Sequence, residues 1–277
     1  MTTIPTIDGK HAGIELLALL STVEPVCATP AAEDIHRIRV AIKKTRAWLK
    51  LIRGVTGKTM AHQQLQDNLR ELSNCLSGQR DRDVALHTLA KLARKYPGKK
   101  AQQLVDVLSQ QLGQRQIASY EMSKLRATAE QIRRDLLPFT QQAVPHETLT
   151  AVARRTYVKM CKTGETALAS HSCADLHVWR KRVKTLGYQL AMVPISAPHL
   201  KKTIQRMSKL GSKLGDVHDL CFLQVMIEEM LAQTNMDLDL APLLKRIDKE
   251  RKTLIESVST LLQHVCKSPP QLEQAGG

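Results

Sequence analysis

An all-helical protein is predicted, and three observations predict it. Leu and Ala dominate the apolar residues, while aromatic residues make up only 3% of the chain, and strands favour β-branched and aromatic residues instead. Gly and Pro are sparse and gather at a few junctions. Between those junctions apolar residues recur at spacings of three and four, the period of a helix with one buried face. No segment of useful length alternates with the period of a strand. At 277 residues the chain can bury an adequate core as one large domain or two modest ones.

Residues 1–9 read as a disordered tail. A short helix is expected from about Lys10 to Thr22, stopped by Pro25 and Pro30. Glu33 to Arg53 follows, with Ile35, Ile38, Ile42, Leu49 and Ile52 at helical spacing and Gly54 and Gly57 beyond its end. Lys58 to Leu76 carries Leu65, Leu69, Leu72 and Leu76 on one side. Ser77-Gly78 ends it, and Asp81 lies near the start of a helix reaching Arg94. After the Pro97-Gly98 turn, a long helical stretch, straight or bent, runs from Lys99 towards Leu137. Pro138 and Pro145 enclose the junction between halves. Thr148 to Ala169, Ala174 to Met192, His199 to Leu214, Asp216 to Ala232 and Ala241 to Lys267 form the second set, and residues 268–277 are a tail. The connections are short, so neighbours run antiparallel and residues 10–137 and 146–267 each form a helical bundle.

The chain also repeats itself. Asp34-Ile35-His36-Arg37-Ile38-Arg39-Val40-Ala41-Ile42-Lys43 returns as Asp175-Leu176-His177-Val178-Trp179-Arg180-Lys181-Arg182-Val183-Lys184. A second signature follows each copy: Arg80-Asp81-Arg82-Asp83-Val84, then Leu214-Gly215-Asp216-Val217-His218-Asp219. A repeat of this length means two copies of one structural unit packed as a pseudo-symmetric pair. What recurs is a set of cations, which points to a doubled anion-binding surface.

On a helix, His36, Arg39, Lys43, Arg46, Lys50 and Arg53 fall within an arc of about 100°, with Ile38, Ile42, Leu49 and Ile52 beside it. His177, Arg180 and Lys184 share a face in the second copy, next to Trp179, Val183, Leu186 and Leu190. A third stripe, Lys202, Arg206, Lys209 and Lys213, runs along the next helix with Ile204, Met207, Leu210 and Leu214 facing inward. The matching helix of the first half is not basic. Like charges at these spacings cost a few tenths of a kcal/mol per pair, which an anion seated on the face would offset. A single Lys-rich helix is usually just a solvated face, but two in-register copies beginning with His favour the functional reading. Alone, His36 and His177 would read as histidines hydrogen-bonded at a helix junction. In register with Arg and Lys they read as phosphate-facing, and a neighbouring anion favours their charged form. Arg80 and His218 are equivalent in the second signature. Asp81, Asp83 and Asp219 either cap helices or hold neighbouring cations in place, two compatible roles. Helix starts at these points would also aim backbone N–H groups at an anion.

A formal net charge of +15 attracts polyanions without selecting a fold. Nucleic acid, inorganic phosphate polymers and anionic membranes are the candidate partners. The six cysteines are dispersed with no C-x-x-C pair, which reads as buried thiols in a reducing compartment. No stretch reaches the length of a membrane span. Glu15 and Glu24 bracket the apolar run Leu16–Val23 too tightly for a secretory leader. A cytoplasmic protein is expected.

These motifs resemble the CHAD family, the conserved histidine α-helical domain, from about Lys10 to Lys267. The resemblance rests on His36-x-x-Arg39-x-x-x-Lys43 with Arg80-Asp81-x-Asp83-Val84, and on His177-x-x-Arg180-x-x-x-Lys184 with Leu214-Gly215-Asp216-x-His218-Asp219. It implies two pseudo-symmetric four-helix bundles packed around a basic cleft or pore, and binding of long-chain inorganic polyphosphate. The residues it carries over are His36, Arg39, Lys43, His177, Arg180 and Lys184, joined by Arg46, Lys50, Arg80 and Lys181. It also suggests location at polyphosphate granules. Arg82 stands where the family motif usually has an apolar residue, and Gly187 where the first copy has Arg46. The clustered acidic residues of a triphosphate-cleaving CYTH domain are not found, so a free-standing module is expected.

Three function classes compete for such a chain. A non-catalytic polyphosphate binder, with no cofactor, fits a surface of Arg, Lys and His with few aromatics. A nucleic-acid binder is the alternative, limited to backbone contacts because Trp48 and Trp179 occupy core-type positions and leave no stacking platform. An enzyme acting on phosphate would need converging carboxylates with a metal, or a Gly-rich phosphate loop, and neither is present. His171, Cys173 and His177 have irregular spacing and no fourth partner for a metal.

Overall fold

The computed structural model describes residues 7–8, 14, 17–18, 32–76, 78–95, 98–114, 122–141, 143–192, 198–233 and 239–267. Within them lie nine helices: α1 (Ala32–Thr56), α2 (Met60–Cys75), α3 (Gly78–Lys95), α4 (Lys99–Gln114), α5 (Met122–Thr140), α6 (His146–Ser170), α7 (Cys173–Met192), α8 (Pro198–Gln233) and α9 (Ala241–Lys267). The only extended segments among the described residues are β1 (Ile7–Asp8) and β2 (Ala143–Val144), paired antiparallel. The all-α expectation is met. The N-terminal tail is corrected at Ile7 and Asp8, which β2 holds; the rest of it lies outside the described residues. So do the C-terminal tail and most of the helix expected from Lys10 to Thr22, of which Ile14, Leu17 and Ala18 are described.

Local chemistry sets the helix ends. Glu33 and Asp34 occupy the first turn of α1 and Arg53 its last, each of the sign that the helix dipole favours. Thr59 caps α2 by accepting from the His62 backbone N–H at 3.1 Å. At the start of α7, the Ser172 hydroxyl accepts from the Asp175 backbone N–H at 3.0 Å. The Asp175 carboxylate in turn accepts from the Ser170 and Ser172 hydroxyls. These two bonds hold the Asp175 carboxyl below the usual carboxylate range, so the Asp opening the second signature is a helix-start device.

Two helix boundaries differ from the sequence reading. The stretch expected from Lys99 towards Leu137 is two helices, α4 and α5, with residues 115–121 outside the described residues. Pro138 lies inside α5, in its last turn, where it removes the N–H that would bond the carbonyl four residues back. Conversely, the expected pair His199–Leu214 and Asp216–Ala232 is one continuous helix, α8. A glycine such as Gly215 costs only about 1 kcal/mol in a helix interior, less than the packing that α8 makes on both sides of it. No helix start therefore exists at Asp216 or Asp219 to aim N–H groups at an anion, and Asp219 lies in the interior of α8.

The 36 residues of α8 reach about 54 Å, enough to serve two apolar clusters. One cluster joins α7, most of α6, the first half of α8 and the second half of α9, with Trp179, Leu186, Leu210 and Leu214 inside it. Another joins α3 and α4 to the far half of α8 and the near half of α9, through Leu89, Leu108, Leu223 and Ile247. A third belongs to α1, α2 and α5, with Trp48, Ile42, Leu69 and Ile132 buried beside Val144, Leu149 and Val152. Both tryptophans are core residues, Trp48 at 2% and Trp179 at 0% exposure, as their spacing predicts. Lys91 pairs with Asp216 at 3.0 Å and Lys95 with Glu250, tying α3 to α8 and α9. Helix α1 crosses α7, where the buried Gln189 amide donates to the Ala47 carbonyl at 3.4 Å.

The cysteine reading is corrected. Cys173 and Cys221 form a disulfide between α7 and α8, while Cys75, Cys161 and Cys266 are thiols and Cys27 lies outside the described residues. Spacing carries no connectivity; the packing of α7 on α8 creates the pair.

Two glycines give opposite expectations. A Cβ on Gly164 would sit 2.8 Å from both Leu262 and Trp179 in a filled core, so Gly164→Ala should destabilise by about 1–3 kcal/mol. A Cβ on Gly215 would meet only Arg180 Nε, at 3.8 Å. Gly215→Ala should therefore stabilise by up to about 1 kcal/mol through helix propensity. Urea denaturation of the two variants measures both signs.

Candidate anion-binding site

Helix α1 displays the first cation stripe beside its buried Ile face. Arg39, Lys43 and Arg46 are partly buried, and His36 and Lys50 are exposed. Arg39 donates to the Ser73 carbonyl at 2.8 Å. That oxygen lies in the last turn of α2, which has no basic residue of its own, so Arg39 supplies the cation that a helix C-terminus favours. Arg46 Nε donates to the Gln66 side chain at 3.3 Å. Burial, then the charge of Arg70, lowers the Arg46 pKa, against a smaller opposing effect of Asp67.

Helix α7 displays the second stripe against α8. Its stems lie over glycines: a Cβ on Gly211 would approach Lys184 Cε to 3.3 Å, and one on Gly215 would approach Arg180 Nε to 3.8 Å. Four-residue spacing on both helices makes this a smooth groove into which the two side chains fit. One turn on, His177 and His218 share an Nδ1···Nδ1 hydrogen bond of 3.2 Å, with ring centroids 4.5 Å apart. One ring must donate and the other accept there, so at least one imidazole is neutral.

The two stripes converge. The His218 pKa is pushed down to about 4 by burial first, then by Arg180, His177, Lys181 and, from the other repeat, Lys43. His177 is lowered by burial, Lys181 and Arg180, and Lys184 by burial and Arg180. Lys50 keeps an exposed surface, yet desolvation, then Arg46 on its own helix and Arg182 on α7, lowers its pKa. Cations of both repeats thus disfavour one another's charged forms, the condition a bound polyanion relieves.

The other sequence-derived residues are placed as follows. Arg80 lies in the first turn of α3, its side chain outside the described residues. Asp81 is in the same first turn, where a negative charge suits the dipole. Asp83 is 4.0 Å from Arg82 Nε. At about 100° per residue, Gly211, Gly215 and His218 share one face of α8, while Lys202, Arg206, Lys209 and Lys213 occupy the opposite one. That stripe is not brought together with the signature residues. Arg206 and Lys213 are partly buried, and Lys202 and Lys209 exposed.

Sequence reasoning missed Arg182, Tyr188 and the glycine groove. Arg182 and Gln189 are seven residues apart and so share the α7 face that meets α1, a signal the charge repeat hid. The Tyr188 pKa is raised by burial, with Lys44 and Arg180 opposing. Among the described residues no group of three or more His, Cys, Asp or Glu is arranged to hold a metal, and no helix is long and apolar enough to cross a membrane.

The family described as CHAD domain matches residues 14–228. The crystal structure of the CHAD domain from the plant Ricinus communis matches with a TM-score of 0.56 and 17% identity, over 92% of this chain and 89% of that one. No curated protein sequence matches the chain.

The depressed His218 pKa fixes a pH dependence. The unfolded imidazole binds its proton near 6.5 and the folded one near 4. The unfolded state therefore binds more protons between those values, and stability falls as pH drops through that window. Above 6.5 this contribution is constant. Thermal melts at pH 7.5 and 5 should show a smaller loss for His218→Gln than for the parent.

Proposed function

The chain belongs to the CHAD family, and on that premise we propose that it binds inorganic polyphosphate without catalysing a reaction on it. The observation that carries this reading is the crowding of cations around the histidine pair where α1 meets α7 and α8: burial, with Lys181 and Arg180, lowers the His177 pKa, and burial, with Arg180, His177, Lys181 and Lys43, lowers that of His218. Such a surface is held at a cost that phosphate oxygens relieve, Arg through its planar fork and Lys as a point charge.

The core of the binding surface consists of His36, Arg39, Lys43, Arg46 and Lys50 from residues 10–137, and His177, Arg180, Lys181, Lys184 and His218 from residues 146–267, the two repeats. Arg182 joins them. Arg80 belongs to the same signature, and Asp81, Asp83 and Asp219 balance neighbouring cations. The stripe Lys202, Arg206, Lys209 and Lys213 is a second anchoring run that a long polymer reaches around α8. Polyphosphate offers charge without bases, which suits a protein whose two tryptophans are both buried in the core.

Titration calorimetry at about 150 mM salt, with duplex DNA at matched phosphate concentration in parallel, tests the reading. Polyphosphate should bind more tightly than DNA, and affinity should fall steeply with salt. Changing Arg39, Lys43, Arg180 and Lys184 to Ala should weaken polyphosphate binding by at least about 100-fold, at roughly 1 kcal/mol per contact. Equal or tighter DNA binding would replace polyphosphate with a general polyanion. An unaffected variant would reduce the stripes to solvated helix faces.

A further inference from the structure

We propose that Cys173 and Cys221 form a thiol–disulfide exchange site, opened by a small dithiol or a dithiol protein, that controls how α7 is held on α8 beside the histidine pair. The bridge joins the first residue of α7 to a point about two-thirds along α8, with Cα atoms 6.1 Å apart. Cys173 lies four residues before His177 and Cys221 three after His218, so on each helix the cysteine and histidine share a face. The disulfide and the Nδ1···Nδ1 contact are therefore two successive ties between the same helices.

The surroundings of Cys173 suit exchange. Helix α9 brings Arg251 across, whose guanidinium donates to Cys173 Sγ at 3.5 Å and to Asp248 at 2.9 Å. Its Nε is buried without a hydrogen-bond partner. A cation and a helix N-terminus at one sulfur both stabilise its thiolate. Cys173 is partly exposed while Cys221 is buried, so an incoming thiolate meets Cys173 first. The thiol of Cys266 differs: burial and the neighbouring Cys161 push it up to about 12, which keeps it protonated and inert.

The step balances as follows. The thiolate of the dithiol attacks Cys173 Sγ, the Cys173–Cys221 bond breaks, and Cys221 leaves as a thiolate that takes up a proton. The second thiol of the reagent, deprotonated, then attacks the mixed disulfide. Cys173 leaves as a thiolate beside Arg251, and the reagent departs as its own disulfide. Two electrons pass from dithiol to protein. Re-oxidation by a disulfide of the same class runs the steps backwards, with Cys173 as nucleophile.

Opening the bridge removes the covalent tie at that end of α7 and leaves the histidine pair and the apolar packing of Leu176 and Val217, so the cations on α7 become less pre-organised and polyphosphate affinity falls. This consequence rests on the polyphosphate reading above; the exchange itself does not.

The test equilibrates the full chain with dithiothreitol at graded reduced-to-oxidised ratios, traps thiols with iodoacetamide, and reads each cysteine peptide by mass spectrometry. Cys173 and Cys221 should become alkylated together across the series without denaturant, with Cys173 reacting at least about tenfold faster than Cys266. Arg251→Met should slow Cys173 alkylation roughly tenfold, and Arg251→Lys should restore most of it. Full alkylation of both cysteines without reductant would overturn the proposal, as would a bridge that opens only in denaturant, or an Arg251→Met rate equal to the parent's. Polyphosphate affinity of the reduced protein and of Cys221→Ser should agree and be about three- to tenfold weaker than that of the oxidised protein. Equal affinities would overturn the coupling to the anion site. If no form bound polyphosphate, the functional reading would fail while the alkylation result stood.

Discussion

Like charges from both repeats are held within reach of one another where α1 crosses α7. Lys43 of α1 acts on His218 of α8, and Arg182 of α7 acts on Lys50 of α1. Repulsion between partly solvated cations costs from a few tenths to about 1 kcal/mol per pair. Each stripe runs beside a row of buried aliphatics, such as Ile38, Ile42 and Leu49 on α1 or Val183, Leu186 and Leu190 on α7. Burying one such side chain contributes about 1.5–3 kcal/mol, so the core wins easily and the unfavourable charge arrangement survives folding. The helices dock through their apolar faces, and the cations follow as a geometric consequence.

The remaining architecture keeps that arrangement in register. Helices α8 and α9 each extend through two apolar clusters, so the second repeat cannot shift without disturbing the first. The glycines at 211 and 215 let the stems of Lys184 and Arg180 lie flat against α8. Close approach by α6 at Gly164 seats Trp179 from behind. These are packing devices, yet what they position is charge.

Much of this was legible in the sequence, and the parts that were not have identifiable causes. Apolar period located α1, α7 and their buried faces, and it placed Trp48 and Trp179 in the core because burial of a helix face depends on spacing alone. Which faces of different helices meet is a tertiary property, so spacing gives no sign of the place of Arg182. For the same reason spacing does not separate the stripe from Lys202 to Lys213 from residues that lie across α8 from it. Gly215 read as a break because glycine is a poor helix former, whereas packing on α7 and α3 carried α8 straight through. The Cys173–Cys221 bridge was invisible because the cysteines are 48 residues apart and only the α7–α8 contact brings them together.

The most direct measurement is an NMR titration of the His218 imidazole, with and without long-chain polyphosphate. His218 lies where the charges of both repeats meet, so it reports the cation field and its relief in one experiment. The account predicts titration near 4 in the free protein, moving up by at least about one unit when the polyanion is bound. A free-state value near the ordinary 6.5, or one that polyphosphate leaves unchanged, would contradict the claim that the two signature helices build one anion-binding surface.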